Sequence, residues 1–130
     1  MSRNYKFHNL EDLYFVSFAV VEWLDVFTRN EYKGILIESL ESYRQHKGME
    51  IVAWCVMINY MHLVFKSIAE GHPSKLLGDL KRFTSKALVN EIQVNPRESR
   101  KEFLLEQFKK GAQKSCNVKN TNFGDTIISQ

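Results

Sequence analysis

A chain of 130 residues holds one domain, without the length for a second core of comparable size. With 44% hydrophobic, 12% aromatic and 25% charged residues, and only two prolines and six glycines, it is not disordered, fibrous or a flexible linker. The net charge of +3 is unevenly placed: residues 1–72 carry seven Lys/Arg against nine Asp/Glu, whereas residues 73–119 carry eleven against five. Such a basic half suits a polyanion such as nucleic acid, with a solvated helical surface as the plainer reading.

The opening Met-Ser-Arg-Asn-Tyr-Lys leads into no long apolar stretch, so no signal peptide is expected. No segment has the length of a membrane span, and the expectation is a soluble cytoplasmic protein. Residues 14–23 are rich in β-branched and aromatic side chains and read as a strand. Over residues 31–47 the period changes: Tyr32, Ile35, Leu36, Ser39, Leu40 and Tyr43 recur at helical spacing, and Gly48 stops the helix.

Residues 50–58 are apolar at nearly every position, which predicts a central strand covered on both faces. Cys55 within that run reads as a small buried side chain. With Cys116 it makes two cysteines, too few for a disulfide scaffold and without zinc-site spacing. After Asn59, Met61 to Ile68 reads as a second strand, with Met61, Leu63 and Phe65 on one face and His62, Val64 and Lys66 on the other. The two strands form a hairpin.

Gly71-His72-Pro73-Ser74 starts a helix, with Leu76, Leu77, Leu80, Phe83, Ala87, Leu88 and Ile92 as its apolar stripe. Asn95-Pro96 with Glu98 reads as an N-cap, an N1 proline and a capping glutamate for a last amphipathic helix, with Phe103, Leu104 and Phe108 inward. Residues 113–130 show no stripe and no convincing strand. The order β-α-β-β-α plus a helix predicts an α+β, ferredoxin-like split β-α-β fold with an antiparallel sheet over residues 1–112, followed by an irregular tail over 113–130.

The hairpin text Trp54-Cys-Val-Met-Ile-Asn-Tyr-Met-His-Leu-Val-Phe65 resembles that of single-tyrosine HUH transposases of bacterial insertion sequences, in particular the REP-associated tyrosine transposase family. Lys6-Phe-His, Leu13-Tyr-Phe-Val-Ser-Phe, Leu80-Lys-Arg-Phe-Thr-Ser-Lys86, Asn95 to Glu102, Phe108-Lys-Lys-Gly and Asn117-Val-Lys-Asn follow in the family's order, so the likeness spans residues 5–123. It implies DNA transposition: single-stranded or hairpin DNA is cleaved and rejoined through a phosphotyrosine, with Mg2+ or Mn2+ held by two histidines, in a homodimer.

Two departures bear on that chemistry. Tyr60 stands where the first histidine of the pair belongs, and only His62 is kept; a phenol with a pKa near 10 is a poor cation ligand at neutral pH. The helix carrying the family's nucleophilic tyrosine is expected beyond residue 123, where this chain reads Gly-Asp-Thr-Ile-Ile-Ser-Gln. With a permitted choice of codons, one base restored after Phe123 gives the family-like Phe-Trp-Arg-His-Asn-His-Gln-Pro-Ile, so a frameshifted tail and a missing nucleophile helix are expected.

The resemblance therefore implies a transposase-family protein without catalytic residues of its own, limited to DNA binding. Its DNA-binding residues are expected to be Lys75, Lys81, Arg82, Lys86, Arg97, Arg100 and Lys101, with His62 the remaining metal ligand. The alternative is a non-catalytic dimeric domain with no DNA function. A small-molecule enzyme is disfavoured, because the chain has no P-loop, dinucleotide glycine motif, nucleophile elbow or paired catalytic carboxylates.

Overall fold

The computed structural model describes residues 13–68, 72–115 and 128–129. Strand β1 is Tyr14–Val20, in which Val16, Phe18 and Val20 are buried while Phe15, just before them, lies half exposed on the opposite face. The chain then makes two 3-10 turns, Val21–Trp23 and Val26–Thr28, before helix α1, Asn30–His46. Gly48 ends that helix at φ 70°, a left-handed conformation that suits glycine, and turns the chain into strand β2, Met49–Val56. Strand β3, Tyr60–Ser67, returns antiparallel to β2.

Helix α2, Pro73–Val94, begins with Pro73 in its first turn, and the His72 side chain accepts a hydrogen bond from the Ser74 amide at 3.2 Å. Helix α3, Lys101–Ser115, follows, and a two-residue strand β4, Ile128–Ser129, pairs with β1 at Ala19 and Val20. The sheet order β2-β3-β1-β4, antiparallel at every pairing, is the expected α+β, ferredoxin-like arrangement. Its last strand lies inside the segment expected to be irregular, because two residues are too short a run for alternation to show.

Alternation on β3 is as expected: Met61, Leu63 and Phe65 are buried, while Tyr60, His62, Val64 and Lys66 look the other way. The buried face meets Leu36, Leu40 and Tyr43 of α1, Leu77, Leu80, Leu88 and Ile92 of α2, and Leu104 and Phe108 of α3 in one core. All the buried positions of β1 and β3 point to this side.

Strand β2 corrects the sequence reading. It is not a central strand covered on both faces but the edge of the sheet, and Val52 (56% exposed) and Trp54 (49%) stand in solvent. The register shifts by a bulge between Ile51, opposite Phe65, and Ala53, opposite Val64; Val52 is the inserted residue, and the alternation reverses beyond it. Ala53 and Cys55 thereby join Val64 and His62 on the open face, so Cys55 is exposed rather than buried.

Phe83 and Phe103, expected inward, are half exposed; Phe83 instead packs its ring on Tyr43, 5.8 Å between centroids. Thr84, Ser85 and Val89 take the buried arc of α2 beside Leu80 and Leu88. The Asn95–Glu98 cap also differs: Asn95 Oδ1 accepts from the Arg97 amide, but the chain stays in turns until Lys101, and Glu98 is a buried ion-pair partner.

Candidate functional site

On the open face of the sheet, β1 and β3 pair Phe15 with Val64, Ser17 with His62, and Ala19 with Tyr60. His62 is held from three directions. The Phe15 ring stacks on the imidazole at 5.4 Å and 25°, and the Tyr60 ring meets it edge-on at 5.1 Å and 72°. Ser17 Oγ lies 2.6 Å from Nδ1, with donor and acceptor set by the tautomer. Trp23 continues the row beyond Tyr60, ring centroids 6.2 Å apart. Phe15, Ser17 and Trp23 were not singled out from sequence, although the alternation of β1 sets Phe15, Ser17 and Ala19 on one face.

The donors gathered here do not fit a divalent cation of the magnesium or manganese kind. Such ions take oxygen-rich, carboxylate-bearing shells. Among the described residues the open face offers one imidazole, one hydroxyl, one phenol and the Cys55 thiol, and Glu50, its carboxylate, is registered opposite Lys66. Among the described residues no group of three or more His, Cys, Asp or Glu is placed to hold a metal ion.

Two of the described tyrosines are held inside the fold. Tyr32 is fully buried, donates to Glu98 Oε1 at 2.9 Å, and burial pushes its phenol up to about 12. Tyr43 is buried and is also raised, by desolvation and then by Asp79.

The cations expected to contact DNA fall into two groups, neither of them beside His62. Lys75, Arg82 and Lys86 are exposed on α2, where Arg82 pairs with Asp79; Lys81 is half buried, and desolvation lowers its pKa before Arg82 does. Helix α2 packs on the buried face of the sheet, so these residues and His62 lie on opposite sides of it.

Arg97 and Arg100 belong to a network around Glu98. Arg97 lies 3.5 Å from Glu31, Arg100 reaches Asp25 at 2.6 Å, and Lys101 opens α3 half buried. Arg100 thus serves the fold, which its position in a basic segment did not reveal.

Comparison with known families matches residues 18–115 to the model described as "Transposase IS200 like". The chain belongs to the IS200-like transposase family. Membership implies DNA as the partner, and the matched span runs from Phe18 in β1 to the last residue of α3. Searches of curated proteins and of solved structures each returned no match. Among the described residues of this transposase-family chain, no helix is long and apolar enough to cross a membrane.

Proposed function

We propose that this IS200-like transposase-family protein binds DNA, single-stranded or hairpin, without metal-dependent strand cleavage. The observation that carries the reading is Tyr60: it stands on the same face of β3 as His62, two residues before it, with its ring edge against the imidazole. A phenol there leaves one histidine where the family resemblance implies two, and the carboxylate on that face, Glu50, is registered opposite Lys66. The phosphate contacts come from Lys75, Arg82 and Lys86 on the outer face of α2, supplemented by Lys81 and Lys101. Arg97 and Arg100 contribute to the positive field while their guanidinium groups are held by Glu31, Asp25 and Glu98.

A second copy of the chain is the other partner. Strand β2 is an eight-residue edge with Val52 and Trp54 exposed and Met57 and Ile58 exposed just after it, and apolar edges of this kind pair with another strand. Sedimentation should show a dimer that Val52→Lys dissociates; a native monomer at micromolar concentration contradicts this.

DNA binding is tested by the salt dependence of affinity for a hairpin-forming single strand in EDTA. Log affinity should fall linearly with log salt, and the triple Lys75→Ala, Arg82→Ala, Lys86→Ala variant should flatten the slope by roughly 2, at about 0.7 per lost contact to a single strand. A slope near zero in the native protein refutes the reading.

A further inference from the structure

We infer that the open face of the sheet is a stacking surface for the bases of single-stranded DNA, formed by Phe15, His62, Tyr60 and Trp23. The inference rests on the reading of DNA as partner, and adds a surface and a mode of contact distinct from the cations of α2.

The four rings form one row, with successive centroids 5.4, 5.1 and 6.2 Å apart. Phe15 is 51% exposed and Trp23 60% exposed, and no buried core position of β1 or β3 lies on this side. The residues registered opposite His62 and Tyr60 are small: Ser17 and Cys55 flank His62, and Ala19 stands opposite Tyr60. Small neighbours leave the His62–Tyr60 part of the row open to a flat ligand, while Val64, registered opposite Phe15, borders it at one end. Aromatic residues projecting from a four-stranded sheet are an established way to stack two or three unpaired bases.

Backbone strain supplies an independent observation. Glu22 and Trp23 are consecutive non-glycine residues at φ 56° and 53°. Such left-handed residues cost on the order of 1–3 kcal/mol each and persist where the surroundings over-determine them. Here Asn59 Nδ2, from the turn between β2 and β3, donates to the Trp23 carbonyl at 3.3 Å and braces the kink. The strained turn does not bury its indole. It sets a largely exposed tryptophan against Tyr60 and so lengthens the row.

The chemistry of the face favours bases over other occupants. Its centre is aromatic and uncharged, and its carboxylate Glu50 is registered opposite Lys66. Stacking is tolerant of base identity and requires no metal. Duplex DNA, whose bases already stack on one another, gains nothing from such a surface.

The test uses the full chain in EDTA with the Trp54→Phe substitution, which leaves Trp23 as the sole indole of the two the sequence contains. Oligothymidylate should quench Trp23 fluorescence, and a duplex of equal length should bind more weakly. Phe15→Ala and Trp23→Ala, both at half-exposed positions outside the core, should each weaken single-strand binding by about 5- to 150-fold, the range for loss of one stacked base. Phe15→Tyr should retain it.

If the alanine variants bind single strands as tightly as the parent while the α2 triple variant loses binding, stacking is refuted and the DNA reading stands. Equal affinity for duplex also refutes stacking. No binding of either DNA overturns both.

Discussion

The most exacting structural prediction concerns Glu98, whose side chain is fully buried. It accepts hydrogen bonds from the Tyr32 hydroxyl and the Arg100 amide, both at 2.9 Å, and pairs with Arg29 Nε at 3.1 Å, so it ties the α2–α3 connection to α1. Removing one partner of a buried ion pair costs about 3–5 kcal/mol. Arg29 and Arg100 are 29% and 35% exposed, and Arg100 keeps Asp25 at 2.6 Å, so the stranded cations recover some solvation.

Glu98→Ala should therefore sit at the low end, about 3 kcal/mol. Glu98→Gln, which keeps an acceptor but loses the charge, should cost about 1–2 kcal/mol. Urea unfolding measures both, and at slopes of about 1–3 kcal/mol/M the alanine midpoint should fall by about 1–3 M.

The pH dependence of the Glu98→Gln penalty is a second readout. Burial alone would raise the Glu98 carboxyl, but the Arg100 amide, the Tyr32 hydroxyl, Arg29 and Arg100 together hold it below its ordinary 4.5. A depressed folded-state pKa contributes stability that is complete above the unfolded value and is lost as pH falls through the folded value. The gap between native and Glu98→Gln proteins should be constant above about pH 5 and shrink below 4.5. Asp25, lowered first by its bond to Arg100, titrates in both proteins and cancels. An alanine penalty under about 1 kcal/mol, or a gap unchanged down to about pH 3, would refute this account of the latch.

Two glycines should respond oppositely to alanine. At Gly111 an added Cβ meets the Val21 side chain at 3.0 Å, so Gly111→Ala should destabilise by about 1–3 kcal/mol, whereas Gly34, inside α1 with nothing within 4 Å, should gain about 0.5–1 kcal/mol. Equal effects in thermal melts contradict the packing of α3 on the 3-10 turn. The Thr84 hydroxyl is buried in α2 without a hydrogen-bond partner among the described residues, so the isosteric Thr84→Val should raise the melting temperature by a few degrees; a fall means the hydroxyl has a partner after all.

Much of this fold is legible from periodicity. The alternation of Met61 to Lys66 gave the faces of β3 correctly, and with them the side of the sheet on which His62 stands. Helix α1 and the start of α2 at Pro73 are carried by local signals, namely an apolar stripe, Gly48 and the Pro-Ser pair. Strand β2 was misread because an unbroken apolar run suits both a buried central strand and a bulged edge, and only the register at Val52 separates them.

The candidate site was half legible. His62 and Tyr60 were identified, but Phe15, Ser17 and Trp23 come to them through cross-strand pairing and a left-handed kink, neither of which a single segment reveals. Arg97 and Arg100 read as solvent-facing cations because their carboxylate partners Glu31 and Asp25 are distant in sequence.

The central claim is DNA binding without metal-dependent cleavage, and one gel tests it most directly. The native chain is incubated with an end-labelled, hairpin-forming single strand in Mn2+ and in EDTA, and bound, nicked and covalently attached DNA are resolved. The account predicts the same bound fraction in both conditions, with neither nicked strand nor protein–DNA adduct. Nicking or a covalent adduct that appears only with Mn2+ would contradict it and would assign metal chemistry to the Tyr60–His62 face.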